Sequence, residues 1–198
     1  MPAPRAPKIP KTSVRIDCGK YLIRTVKADD ASDRWASWMS DPEATHTLNL
    51  AAQTLTKSDI VSYIKKFDQR AHLLLGIFEK ASGLHLGIFR IDIDYQYGRF
   101  LVFMLIGEPE FRNKGVTNQI TVPFRDYFFE TLGLNTMMAT ALARNRAIIH
   151  YLLKSGWTLD QKLERNVKSQ SDGTMLDLCF FSITRDAWRA WKQANLPK

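Results

Sequence analysis

RFLVFMLIGEPEFRNKGVTNQ, residues 99–119, carries an apolar strand into a basic, glycine-containing loop and then into a helix. Leu101, Phe103 and Leu105 alternate with Val102, Met104 and Ile106, and the run stops at Gly107. Beyond it, Arg112, Asn113, Lys114, Gly115, Val116 and Thr117 would set several unpaired backbone N–H groups at a helix start, where the positive end of the helix dipole favours a phosphate. Gly115 permits close approach and backbone angles that a side chain resists, while Arg112 and Lys114 add full charges. The stretch therefore points to an anionic cofactor; the plain alternative is a surface turn with solvated Arg and Lys.

A second stretch, RNRAIIHYLLKSGW at 144–157, is a helix with Ile148, Ile149, Leu152 and Leu153 on one apolar face, Gly156 as its stop and Trp157 opening a strand. With both stretches in hand, the chain resembles the GNAT superfamily of N-acetyltransferases. Arg112 to Thr117 is similar to that family's Q/R-x-x-G-x-G/A signature, with Thr117 where Gly or Ala is usual, and Asn145 lies eleven residues before Gly156 as in the family's later helix. YLIRTVKADDASDRWASWMSDPEA (21–44) and DGTMLDLCFFSITRDAW (172–188) resemble the opening and closing segments of the branch that includes ribosomal-protein N-terminal acetyltransferases. The likeness spans about residue 21 to residue 190.

The resemblance implies an α/β (α+β mixed) fold: one central, mostly antiparallel sheet of about six to seven strands, a splayed parallel pair within it, and helices on both faces. It implies acetyl-CoA as cosubstrate. Phe111, Arg112, Asn113, Lys114, Gly115, Val116, Thr117 and Asn118 would surround the pyrophosphate, and Asn145 would meet the pantetheine, with Lys154 further along the same helix. The splayed strands would leave the backbone of Leu105, Ile106 and Gly107 free to hydrogen-bond the pantetheine arm.

Read for pattern alone, 21–26 makes a strand and 29–40 a helix with Trp35 and Trp38 on one side. A polar crossing follows near Thr45 to Thr56, and a helix capped by Thr56 carries Ile60, Tyr63, Ile64 and Phe67. Residues 72–79, 84–94 and 99–107 form an antiparallel meander joined by short turns. Strand 100–107, helix 115–132 and strand 134–142 then form a right-handed crossover. Val116, Ile120, Phe124, Phe128 and Leu132 recur along that helix, Gly133 stops it, and Pro123 inside it predicts a bend.

The 198 residues, 45% hydrophobic, suffice for one well-buried core. No apolar run is long enough for a membrane span and no hydrophobic signal region opens the chain, so a cytoplasmic protein is expected. Half of the net charge of +8 comes from Arg5, Lys8, Lys11 and Arg15. Residues 1–15 read as a disordered basic tail and 16–198 as a single domain. The tail is more readily a solvated extension than a nucleic-acid or ribosome contact, since no aromatic residue interleaves its charges. Cys18 and Cys179 read as reduced structural residues, and the four histidines make no metal pattern.

For chemistry, an amine acceptor must lose a proton, and a lysine-like amine with a pKa near 10.4 is neutral in only about one molecule in a thousand at pH 7. Asp92 is the leading proton acceptor, with Asp94, Glu108 and Glu110 as alternatives; for the aspartates the competing reading is a strand-end or turn residue paired with Arg90, and for the glutamates an ordinary place in a phrase similar to the family's common GDPEYRGKG. Many relatives place a Tyr seven residues after the helix Asn to protonate the leaving thiolate. Here that position is Leu152, and Tyr151 stands about 100° away around the helix. Three functions are open: an acetyl-CoA-dependent N-acetyltransferase acting on a primary amine by direct transfer, an inactive CoA-binding scaffold, and a basic ribosome- or nucleic-acid-associated module. The acceptor, a small molecule or a protein N-terminus, is left open. Trp188 and Trp191 mark either core packing or a homodimer surface.

Overall fold

In the computed structural model, which describes residues 10–196, eight strands form a single sheet in the order β1-β2-β3-β4-β5-β6-β8-β7. The strands are β1 (Arg15–Cys18), β2 (Tyr21–Thr25), β3 (His72–Glu79), β4 (His85–Asp94), β5 (Arg99–Ile106), β6 (Thr136–Leu142), β7 (Thr158–Lys168) and β8 (Met175–Thr184). The helices are α1 (Asp33–Ser37), α2 (Pro42–Leu48), α3 (Lys57–Ile64), α4 (Val116–Asp126), α5 (Arg146–Lys154) and α6 (Arg185–Asn195). Every pairing is antiparallel except β5 with β6. No helix is long and apolar enough to cross a membrane, among the described residues.

The mixed sheet with helices on both faces is the expected architecture, but it has eight strands where about six to seven were expected. The addition is β1, which pairs with β2 around a turn that holds Gly19 at φ +71°. Its alternation is plain once seen: Ile16 and Cys18 are buried, Arg15 and Asp17 are not. Most of the expected tail, residues 1–9, lies outside the described residues. Closer to β1 the chain is held, since Thr12 N–H donates to Gln69 O (2.7 Å) and Val14 is buried.

Two apolar layers flank the sheet. On one face α4 lays Val116, Ile120 and Phe124 against it, with Phe89 stacked on Phe124 (4.3 Å) and Phe100 on Phe128 (5.0 Å). Pro123 does not end this helix; the winding stays α through Asp126 and then loosens to a π-helical turn at Tyr127–Thr131. Arg125, fully buried, donates to Ser155 O (2.7 Å) and Ser155 Oγ (3.1 Å), so its cation meets the carbonyl end of α5. Trp188 and Trp191 stack on each other (5.3 Å) and donate to Asp126 and to Lys154 O. On the other face Trp35, Trp38, Ile60 and Ile64 of α1 to α3 cover Leu74, Ile88 and Leu105.

The expected helix at 29–40 resolves into a 3-10 turn (Ala28–Asp30) and the short α1, and part of the expected polar crossing is α2. Asp41 caps α2, Pro42 begins it, and Asn49 ends it in the left-handed region at φ +54°. Thr56 caps α3 through a reciprocal pair with Asp59, as its position predicts.

His85 lies between the layers, stacked on Phe78 (4.6 Å) and edge-on to Trp35 and Trp38. Burial pushes its imidazole pKa down to about 4 from an ordinary 6.5. Because the folded value is depressed, its contribution to stability is complete above pH 6.5 and is lost as pH falls through 4. The loss should reach about 3 kcal/mol by pH 4. Urea titrations at pH 7 and pH 4 should show that difference shrinking in His85→Gln by a similar amount.

Candidate active site

The sheet divides beyond Leu101. β5 is paired with β4 along its whole length, from Asp94↔Arg99 to Gly87↔Ile106, yet it meets β6 only through Arg99, Phe100 and Leu101. Two local features draw its end towards β4. At Gly87 an added Cβ would stand 2.1 Å from Leu105 O, so only glycine allows this approach. The N–H groups of Gly107 and Glu108 both turn to Leu86 O, at 2.9 and 3.1 Å. Val102 to Ile106 are thus left without a strand on their β6 side, and Val102, Phe103 and Met104 are half-buried there.

The loop after β5 opens onto this split. Asn113 (φ +58°) and Gly115 (φ +77°) turn the backbone on either side of the exposed Lys114, and nothing lies within 4 Å of where a Gly115 Cβ would be. The other five α-helices each have a side-chain cap, from Ser32, Asp41, Thr56, Asn145 and Thr184. α4 has Gly115 at its cap and no capping side chain. Its first N–H groups, those of Val116, Thr117 and Asn118, have no intrahelical partner by geometry, so the positive end of its dipole is available to an anion.

Arg112 departs from the expected phosphate contact. Its Nε donates to Ile106 O (3.1 Å), one terminal nitrogen donates to Gly107 O (2.8 Å) and lies 2.5 Å from Asp41 Oδ2, and the other donates to Glu43 Oε2 (3.0 Å). The guanidinium is spent on the end of β5 and the start of α2. Gly107 is correspondingly engaged at both its N–H and its carbonyl, the Ile106 carbonyl is held by Arg112, and the Leu105 carbonyl lies against Gly87 of β4. Phe111 packs half-buried against the α4 layer.

A missed feature lies beside Gly107. A Cβ there would stand 1.9 Å from the Trp38 ring, which closes directly over the glycine. Trp38 Nε1 and Arg34 Nε each donate to the buried Glu108 carboxylate at 2.9 Å, fastening α1 to the loop. That commits Glu108 to structure. Arg34, Trp38, Glu43, Pro109 and Arg112 help line a shallow cleft of about 310 Å³ here. The signal was the large Trp38 facing a glycine, legible only in three dimensions.

Register places the remaining residues. On the face covered by α1 to α3, His72, Asp92, Leu101, Met138 and Ser182 form one cross-strand row, and Arg90, Phe103, Thr140 and Phe180 lie in the next, astride the split. Asp92 is therefore at the closed end, about 7 Å along the strand from the Phe103 row. Its Oδ1 is 2.7 Å from His72 Nδ1, and Arg90 lies 3.8 Å from its other oxygen. Tyr151 is on the opposite face of the sheet, where its hydroxyl bonds Thr121 Oγ1, which itself donates to Thr117 O. Asn145 Oδ1 accepts from Ile148 N–H (3.2 Å), and Lys154 is exposed at the end of α5. The structure thus gathers Leu105, Ile106 and the 112–118 loop at the split. It sets Asp92 at the split's closed end and holds Tyr151 against α4.

A split parallel pair beside an uncapped helix start is the geometry of an acyl-CoA-dependent acetyltransferase. Residues 20–158 match the family described as "Acetyltransferase (GNAT) domain", and the chain belongs to that family. It is an acetyltransferase, and acetyl-CoA is the cosubstrate of its family. No curated protein sequence matches it. Among solved structures it is similar to spermidine N-acetyltransferase from Vibrio cholerae in complex with CoA and spermine (14% identity, TM-score 0.75, covering 86% of this chain and 98% of that one). It is also similar to ribosomal-protein-S5-alanine acetyltransferase from Vibrio fischeri (15%, 0.69, 88% and 98%) and to a GNAT-family acetyltransferase from Bacillus anthracis (14%, 0.73, 87% and 99%). The ribosomal-protein branch is one of several neighbours at comparable distance.

Gly107→Ala should displace Trp38 and the end of β5 together. We expect a loss of stability of about 2 kcal/mol or more by urea unfolding and, in calorimetric titration of the folded variant, acetyl-CoA affinity reduced about tenfold.

Proposed function

We propose that the chain transfers the acetyl group of acetyl-CoA directly to a primary amine, with donor and acceptor bound together on opposite sides of the split between β5 and β6. The observation that supports this most is the unpaired length of β5 leading straight to the one α-helix start that lacks a side-chain cap, among the described residues. The groups present suit the donor. The N–H groups at the start of α4 would receive the pyrophosphate, Gly115 leaves room for it, and the β6-side edge of β5 beyond Leu101, which pairs with no strand, matches the amides of a pantetheine arm. When bound, acetyl-CoA supplies the activated acyl carbon.

The acceptor would lie on the α1 to α3 face, over Phe103 and Phe180. Asp92 would take the amine proton through water, because the row spacing keeps its carboxylate out of direct reach, and His72 orients that carboxylate. Tyr151 is a packing residue in this reading, since its hydroxyl is bonded to Thr121. The thiolate leaves without a dedicated acid; a thiol pKa near 8.5 makes it a tolerable leaving group. Two acceptor classes fit, a polyamine and a protein N-terminus of the ribosomal-protein kind. We place the reaction in the cytoplasm, in keeping with two buried, unbonded cysteines.

Thiol release from acetyl-CoA should be followed with spermidine, with spermine and with peptides that begin in alanine. One of these should turn over. Acetyl-CoA binding with no thiol release on any of them would favour the scaffold instead. With the active acceptor, Asp92→Asn should lower kcat/KM by about 10- to 100-fold at pH 7 and by less at pH 9, where a larger fraction of the amine is already neutral. Tyr151→Phe should stay within about threefold of the parent enzyme, and a larger fall would restore it as the general acid.

A further inference from the structure

We infer that the acceptor is a peptide N-terminus with Asp or Glu within about its first four residues, and that Arg90 and Arg144 receive those carboxylates. The inference rests on the acetyl-donor reading above and narrows its two acceptor classes to one.

The acids beside the opening are already engaged. Asp92 meets His72 Nδ1, and Asp94 lies 3.1 Å from Arg99. Asp41 and Glu43 share Arg112, and Glu108 accepts from Trp38 and Arg34. Asp160 accepts from Ser182 Oγ (3.0 Å), but it stands on β7, two strands beyond β6. A polyamine needs carboxylates for its second and third charges, and those nearest the split are spent on the protein's own cations and donors.

Two cations there keep donors to spare. Arg90 stands in the Phe103 row, with its guanidinium carbon 5.6 Å from the centre of that ring. It comes no nearer than 3.8 Å to Asp92, the Tyr63 hydroxyl of α3 stands beside it, and its side chain is 46% exposed. Arg144, just past the end of β6, donates to His46 O of α2 (2.6 Å), while its Nε is buried without a partner among the described residues. A buried guanidinium N–H with no acceptor is costly, and an incoming carboxylate satisfies it. Asp172 feels Arg144 through space but turns its carboxylate to Ser169 and Thr174.

The sheet leaves room for an extended chain between them. No residue of β6, β7 or β8 belongs to the apolar layer under α1 to α3, and Phe180 and Leu178 are half-buried on that side of β8. From Thr140, in the Phe103 row, to Arg144 is four residues along β6, roughly 13 Å, which about four extended residues of a peptide would span. An amine over Phe103 therefore has its nearest side chains beside Arg90 and a later one at Arg144. Arg90 also acts on the amine itself, because a neighbouring cation disfavours the ammonium form and raises the neutral fraction that attacks.

Calorimetric titration of the full chain, saturated with CoA, tests this with peptides that begin in alanine and continue in Glu, Gln or Lys, and with spermine. The Glu peptide should bind about tenfold or more tighter than the Gln peptide, and the Lys peptide and spermine more weakly still. The difference should shrink at high salt. Arg90→Gln and Arg144→Gln should each reduce the preference about threefold or more while CoA affinity, which also shows that the variant is folded, stays within about twofold. Arg90→Lys and Arg144→Lys, which keep the charge, should retain most of it. A Glu peptide that binds no tighter than the Gln peptide, that does not bind, or whose advantage survives both glutamine substitutions overturns the inference alone. A parent chain that binds no CoA overturns the donor reading and the inference with it.

Discussion

The unequal pairing of β5 is the constraint on which the rest of the structure depends. A strand inside a sheet ordinarily satisfies its backbone on both sides, and buried N–H and C=O groups without partners are costly. Here one side is satisfied from end to end while the other is satisfied for three residues. The shortfall falls on residues beyond Leu101, of which Val102, Phe103 and Met104 are half-buried. A ligand with its own amides is the natural complement to such an edge.

The surroundings maintain that opening instead of healing it. Gly87 lets β4 come close enough to hold β5, and the two N–H groups directed at Leu86 O keep the end of β5 away from β6. Trp38 over Gly107 and the Glu108 carboxylate beneath Arg34 and Trp38 tie α1 to the same point. On the opposite face the stacked phenylalanines of α4 hold that helix so that its uncapped start lies at the cleft. Arg125, set against the carbonyl end of α5, joins α4 to the second half of the sheet. The split is therefore maintained by glycine-dependent close contacts, and the start of α4 beside it carries an uncapped helix dipole.

That balance explains what the sequence disclosed. The strands at 72–79, 85–94 and 99–106 and the crossover to β6 were legible because their apolar runs are long and their turns carry Gly or Asn. β1 was obscured by the basic residues before it, although Val14, Ile16 and Cys18 alternate as a strand should. α2 was missed because tertiary contacts, among them Asp41 with Arg112, Asn49 with Lys168 O and the burial of Ala44, stabilise a segment too short and polar to declare itself, even though Asp41 and Pro42 mark its start. Gly115 was legible as the glycine that turns the chain into α4, where it stands at φ +77°. The role of Arg112 was not, because a basic residue in a phosphate-like loop has the same appearance whether it faces a ligand or, as here, two carboxylates and two carbonyls. Asp92 could be placed on its strand, but its distance from the split emerges only from the register of five strands.

The most direct test of the central claim is thermal unfolding with and without acetyl-CoA. If the split and the start of α4 hold the donor, a concentration a hundred times the dissociation constant stabilises the fold by about 2.7 kcal/mol and raises the midpoint by roughly 5 to 10 °C. An unchanged midpoint at millimolar acetyl-CoA would contradict the account.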